Sequence, residues 1–197
     1  MNLVLASANK HKVDEIKALL PNGFTVVTMK EAGIHEDIPE PGATIAENSQ
    51  LKAEYVYQKL KHVFSDLEVI ADDSGLEVEV LNGAPGVHSA RYAGEAKNDE
   101  ANNLKLLEAL KPHSNRKARF VTIITLQGES TLEQFEGEVK GTIAFAPRGT
   151  TGFGYDPLFI PTGYRSTFAE LGADIKNSIS HRSAAVKRLV EFLKIPH

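Results

Sequence analysis

Asn2-Leu3-Val4-Leu5-Ala6-Ser7-Ala8-Asn9-Lys10-His11-Lys12 is the stretch from which the rest of the chain can be read. Leu3, Val4 and Leu5 are consecutive and apolar, which predicts a short buried strand over Asn2 to Ala6. From Lys10 to Leu20 the spacing changes. Val13, Ile16, Leu19 and Leu20 recur at helical intervals, and Pro21-Asn22-Gly23 ends the helix. A buried strand running straight into an amphipathic helix points to an α/β architecture.

Working outward, Phe24 to Thr28 reads as a second strand, and the polar stretch Glu31 to Gly42, with two prolines, as a loop. Thr44 with Glu47 has the spacing of a capping box, so a long helix follows, with Leu51, Tyr55 and Val63 expected on its buried side. Leu67 to Ala71 predicts a strand that runs into Asp72-Asp73-Ser74-Gly75. Leu76, Val78 and Val80 alternate with Glu77 and Glu79, a half-buried strand closed by Asn82-Gly83. Asp99 to Leu110 predicts a helix with Leu104, Leu107 and Leu110 on one stripe. Arg119 to Leu126 is strand-like, and Leu132 to Ala146 is strand-rich, with bends or bulges at Gly137 and Gly141. Gly149 to Gly154 is a glycine-rich loop, and Ser180 caps a last helix that runs to about Leu193. Strands and helices interleave at both ends, while the middle is consecutive strands. The expected fold class is therefore α/β with a mixed sheet and flanking helices.

The bulk composition narrows the functions. With 197 residues, 42% of them hydrophobic, the chain suits one domain or two lobes sharing a core. A net charge of −4 gives no global basic field for long nucleic acid, so a small anion would need a local basic cluster. The absence of cysteine excludes disulfides, thiolate zinc sites and thiol catalysis, and fits a reducing compartment. The seven histidines form no H-E-x-x-H pattern. No apolar run approaches membrane-spanning length, and the amino terminus reaches Lys10 too soon for a signal peptide, so no membrane partner and a cytoplasmic location are expected.

Several short stretches carry possible chemistry, each with a plainer reading beside it. Ser7 to Lys12 lies at a strand-to-helix turn, where free backbone N–H groups and the helix dipole suit a phosphate, although the spacing is not a Walker loop. The same residues also fit a capped surface helix with solvated lysines. Two adjacent carboxylates after an apolar strand, Asp72 and Asp73, suit a hard cation such as Mg²⁺ or a polar turn that ends the strand. Glu40, in the proline-rich loop, is a third carboxylate for that site or a surface glutamate. Phe153, flanked by glycines, suits a flat platform for a base, or a core position at a bulged strand entry. Ser180-His181-Arg182 opens the last helix. Arg182 carries a fork of donors matching the N7 and O6 acceptors of a 6-oxo purine, or is a solvated helix-start residue. Together these stretches supply the parts of a nucleotide site.

The motifs, taken in order, resemble the ITPase family of non-canonical purine nucleoside triphosphate pyrophosphatases over essentially the whole chain. They are Leu5 to Lys12, Glu47-Asn48 with Leu51-Lys52-Ala53, and Ile70 to Leu76. Gly83-Ala84-Pro85-Gly86 with Ser89-Ala90-Arg91-Tyr92, Phe153 to Pro157, and Ser180-His181-Arg182 complete the set. The resemblance implies an elongated two-lobed α/β domain over residues 1–197, usually a homodimer, with substrate in a cleft between the lobes. It implies a triphosphate held by Ser7, Ala8, Asn9, Lys10, His11, Lys12, Lys52 and Ser74. Glu40 and Asp73 would hold Mg²⁺, with Asp73 as the catalytic base. Phe153, Gly154, Tyr155, Asp156, Lys176, His181 and Arg182 would hold base and sugar. Ser7 stands where that family commonly has Thr, and both residues keep the hydroxyl. Arg91 receives no role. The implied reaction converts ITP, dITP or XTP to the monophosphate and pyrophosphate. Alternatives are a Maf-type pyrophosphatase acting on modified pyrimidine nucleotides, a nucleotide-binding module without hydrolysis, and a phosphatase that removes the γ-phosphate.

Overall fold

The computed structural model describes residues 2–194. Among these, a six-stranded sheet has the order β2-β1-β3-β4-β5-β6. The strands are β1 (Asn2–Leu5), β2 (Val26–Thr28), β3 (Leu67–Val78), β4 (Lys117–Gln127), β5 (Leu132–Ile143) and β6 (Phe159–Pro161). The helices are α1 (Lys10–Leu19), α2 (Ile45–Leu60), α3 (Asp99–Ala109), α4 (Phe168–Ile179) and α5 (His181–Leu193). β1 runs parallel to β2 and β3, whereas β5 and β6 are antiparallel, so the sheet is mixed as expected. None of the described helices is long and apolar enough to cross a membrane.

The chain divides into two compact units. The first comprises residues 1–73, 122–137 and 182–197, and the second residues 74–121 and 138–181.

In the first unit, the period-two alternation of strands sorts side chains onto two cores. Leu3 and Leu5 of β1, Ile70 of β3, and Ile124 and Leu126 of β4 pack with Ile16 of α1 and with Ala185, Val186 and Leu189 of α5. Val4 of β1 and Val69 and Ala71 of β3 pack instead with Ala53, Val56 and Leu60 of α2. Each fully buried Leu, Ile or Val on these faces stabilises the fold by about 1.5–3 kcal/mol relative to exposure.

The second unit has one apolar core, built from Leu76 and Val78, Leu106 of α3 and Leu110 just after it, Phe120 of β4, and Tyr155, Leu158, Phe159 and Phe168. The rings of Phe120, Phe159 and Phe168 lie at centroid separations of 4.7 to 6.3 Å.

Several expectations need correction. Asp72 to Gly75 is not a turn: β3 continues through it from Leu67 to Val78 without interruption. The alternation expected to reach Val80 stops two residues earlier, where Glu79–Leu81 forms a 3₁₀ turn and Asn82 takes φ 53°. On α2 the buried stripe is Ile45, Asn48, Ser49, Lys52, Ala53, Val56 and Leu60, while Leu51 is exposed; the helix ends before Val63, which is exposed too. Polar residues take the inner face there because partners wait for them. The Ser49 hydroxyl lies within 3.0 Å of the Ala71 and Ile123 carbonyls and 2.8 Å from Thr125 Oγ1. Of the leucine stripe expected over Asp99 to Leu110, Leu110 is buried and Leu107 packs against the same core, and Leu104 alone departs. Leu104 is 60% exposed, and Asn102, Asn103 and Leu106 face inward. Residues 168–179 carry no expected element. α4 forms there behind a Thr167–Glu170 capping box and is interrupted at Gly172, whose φ is 79°.

Candidate active site

The alternation that divides the first unit's cores also divides the two adjacent aspartates. Asp72 shares its side of β3 with Ile70 and therefore faces α1 and α5; Asp73 shares its side with Ala71 and faces α2. Asp72 Oδ1 lies 2.6 Å from Lys12 Nζ of α1, and Asp72 Oδ2 accepts from Arg182 Nε of α5 at 3.0 Å. Asp73 Oδ1 accepts from Lys52 Nζ of α2 at 2.8 Å. Lys52 Nζ also donates to Glu40 Oε1 at 2.9 Å.

The two carboxyls consequently differ in acidity. Burial pushes Asp72 up, but Arg182 and then Lys12 outweigh it and hold the group well below the ordinary carboxylate value. Asp73 is raised. Its burial dominates, Lys52 and Lys12 only partly offset this, and Glu40 adds to the rise. Lys12 therefore acts on both aspartates, through a direct ion pair to one and through its field on the other. Burial opposes the charge on Lys52, yet Asp73 and Glu40 together keep it protonated above its usual range.

Local sequence explains the placement. Asn9 caps α1 by accepting from the Lys12 N–H at 3.2 Å, and the Asn9 N–H donates to Ser7 Oγ at 3.3 Å. Ala8, Asn9, Lys10 and His11 are exposed at the start of α1, and Lys12 turns inward. The loop bearing Glu40 is tied to α2. Gly42 N–H donates to Asn48 Oδ1 at 2.7 Å, and the Glu47 carboxylate accepts from the Ala43 and Thr44 N–H groups. A Cβ at Gly42 would stand 2.6 Å from Asn48 Oδ1, so only glycine permits that approach. Ser74 follows Asp73 along β3 and is half-buried.

Glu40 and Asp73 converge on one ammonium and offer oxygen ligands alone, a donor set that fits a hard divalent cation. Among the described residues no cluster of three or more His, Cys, Asp or Glu stands ready to hold a metal. A cation at this place would take one or two carboxylates, with phosphate oxygens completing its shell.

In the second unit, Phe153, Asp156 and Lys176 form one cluster. Asp156 Oδ2 accepts from the Phe153 N–H at 2.9 Å and from Lys176 Nζ at 2.6 Å. Lys176 Nζ also sits 4.5 Å from the centre of the Phe153 ring. Tyr155 belongs to the core. Its ring is buried, its hydroxyl donates to the Ser89 carbonyl at 2.8 Å, and it offers a ligand only backbone. His181 is buried and lies flat on Phe120, with ring centroids 4.7 Å apart and planes 11° from parallel. A groove of about 540 Å³ in this unit, lined by Glu77, Lys117, Arg119, Lys140 and Thr142 among others, contains none of the site residues read from the motifs.

Arg182 is placed differently from its sequence reading as a solvent-facing fork or a purine reader. It is 1% exposed and donates to Asp72 and, through Nη1, to Glu15 of α1. Glu15 escaped the sequence reading. The available signal was its position three residues after Lys12, which puts both on one helix face.

The chain belongs to the Ham1 family, whose model matches residues 3–192. It is 49% identical to the dITP/XTP pyrophosphatase of Flavobacterium johnsoniae, over 98% of each chain. It is 50% identical to the protein of the same name from Porphyromonas gingivalis, over 97% of this chain and 96% of that one. Among solved structures, the Staphylococcus aureus Ham1 protein matches with a TM-score of 0.87 at 42% identity over 98% of each chain. A HAM1 protein from Coxiella burnetii matches with a TM-score of 0.88 at 38% identity, also over 98% of each. The membership read from the motifs is thereby borne out.

Proposed function

We propose that this protein hydrolyses the triphosphates of non-canonical purines, ITP, dITP and XTP, to the monophosphate and pyrophosphate. The observation that carries the reading is the Lys52 ammonium shared between Glu40 and Asp73, beside the Lys12–Asp72 pair. Acidic groups for a metal and basic groups for phosphate are interleaved there, as a phosphoanhydride substrate requires. The names of the curated relatives supply the substrate class.

In this reading the first unit's cluster serves the triphosphate. Lys12, Lys52 and the residues Ser7 to His11 hold phosphate oxygens at the positive end of the α1 dipole, and Ser74, next after Asp73 along β3, is assigned to the same phosphates. Glu40 and Asp73 hold Mg²⁺, which when bound neutralises phosphate charge and polarises the attacked group. Asp73 orients the attacking water and takes its proton. Water oxygen bonds to the α-phosphorus, the bond from the α-phosphorus to the bridging oxygen breaks, and pyrophosphate leaves. The second unit's cluster serves the base. Phe153 stacks on it, and Asp156, Lys176, Gly154 and the backbone of Tyr155 meet its edge and sugar. His181 is assigned to the base with them. Arg182 is assigned to O6 and N7 through its fork of donors. The protein works as a cytoplasmic homodimer.

Chromatographic product analysis over ITP, dITP, XTP, GTP, ATP and dUTP, with and without Mg²⁺, tests this. Pyrophosphate with IMP, dependent on Mg²⁺, is the expected result. Orthophosphate with IDP would make it a γ-phosphatase, preference for dUTP a pyrimidine enzyme, and no turnover a binding module.

A further inference from the structure

α3 touches the loop that carries Phe153 through two polar side chains one turn apart. Asp99 Oδ2 accepts from the Gly154 N–H at 2.7 Å, and Asn103 Nδ2 donates to the Gly154 carbonyl at 3.0 Å. Residues four apart share a helix face, so one strip of α3 grips both polar groups of a single glycine. That glycine needs holding. Gly152 and Gly154 have φ of 80° and 60°, and Phe153 sits between these two left-handed residues. Glycine in such a conformation has wide freedom and orders only where neighbours fix it.

The Asn103 side chain is otherwise expensive to keep. It is 7% exposed, and its Oδ1 is buried with no hydrogen-bond partner among the described residues. Turning the amide over would set oxygen against the Gly154 carbonyl, so the bond to Gly154 fixes its orientation. A buried amide half satisfied is a cost that a leucine would avoid. α3 has holds of its own besides Asp99 and Asn103. Asn98 caps it by accepting from the Ala101 N–H at 2.9 Å. Asn102 docks it by accepting from the Ala93 N–H at 2.7 Å and donating to the Ala90 carbonyl at 3.1 Å.

We propose that Asp99 and Asn103 are positioning residues for the base platform: by holding Gly154 from both sides they set the angle at which Phe153 is presented. This rests on the nucleotide reading above. The clamp acts on binding of the base and leaves phosphoryl chemistry alone.

The test is steady-state kinetics on ITP for wild type, Asp99→Ala, Asp99→Asn and Asn103→Leu, with Phe153→Ala as the reference for a lost platform. Asp99→Ala should raise KM about tenfold, the size of one lost hydrogen bond, with kcat within about twofold. Asp99→Asn keeps an acceptor for the Gly154 N–H and should restore KM to within about twofold. Asn103→Leu should raise KM without lowering the melting temperature, because it also removes the unmet acceptor. A merely structural residue would lose both together. In the Phe153→Ala background, Asp99→Ala should add nothing. An unchanged KM in Asp99→Ala, or additive effects with Phe153→Ala, overturns the clamp. Wild type that releases no pyrophosphate from any purine triphosphate overturns the functional reading itself, and the clamp's role with it.

Discussion

Asp72 and Asp73 are neighbours in β3 whose carboxylates answer to different helices. Asp72 is paired with Lys12 of α1 and Arg182 of α5, and Asp73 with Lys52 of α2. Two cations surround the first. The second shares one ammonium with Glu40. One residue step therefore separates a carboxylate that the fold stabilises as an anion from one that it burdens.

Replacing Asp72 with Asn should accordingly destabilise the protein. Arg182 is fully buried, and losing a partner of a buried pair costs about 3 kcal/mol or more. Urea unfolding checks this. The folded carboxyl lies below its ordinary value of 3.8, so its contribution is fully present above that pH and fades as pH falls below it. The wild-type and Asp72→Asn unfolding curves should therefore converge in acid. A constant gap down to strongly acidic pH would refute the ion-pair account.

Asp73→Asn should behave in the opposite way. Burial already disfavours its charge, so unfolding in urea should shift little, and Lys52 retains Glu40. Pyrophosphate release from ITP should fall by on the order of 10²–10⁴-fold, the range of a lost general base. A variant that unfolds early, or one that turns over normally, would contradict this division of labour.

The contrast between these two residues also marks where the sequence could be read and where it could not. Strand β1, helix α1, the α2 capping box and the end of α5 follow from local spacing alone, and each stands where that spacing puts it. The Asp72–Asp73 pair stood out because two carboxylates after an apolar strand demand partners. The partners were not legible: Arg182 lies 110 positions away, and only the fold brings it to Asp72. The same limit hid the inner faces of α2 and α3. Apolar periodicity nominated Leu51 and Leu104, but Lys52 and Asn103 are drawn inward by Asp73 and Gly154, which that pattern does not register.

Arg182→Ala carries two separable demands. Removing the guanidinium takes a buried cation from both Asp72 and Glu15, so the unfolding free energy should drop by about 3–5 kcal/mol. If the fork also reaches the purine edge, the ratio of kcat/KM for ITP over ATP should fall as well, measured at a temperature where the variant stays folded. A stability loss with an unchanged ratio would assign Arg182 to anchoring Asp72 and leave O6 to the second unit's cluster.

Gly152→Ala is the sharpest single probe of that second cluster. Gly152 has φ 80°, where an L side chain is strained, and an added Cβ would run into the Asp156 carboxylate. That carboxylate accepts from the Phe153 N–H and from Lys176, so displacing it loosens the ring and its cation together. The core of the unit, centred on Phe120, Phe159 and Phe168, does not include Gly152, and its unfolding midpoint should move little. The expected signature is a KM for ITP raised by roughly tenfold or more with kcat largely kept, because lost platform contacts weaken ground state and transition state alike. Loss of kcat at constant KM would place this loop in the chemistry of the phosphates, contrary to the assignment of Phe153, Asp156 and Lys176 to the base.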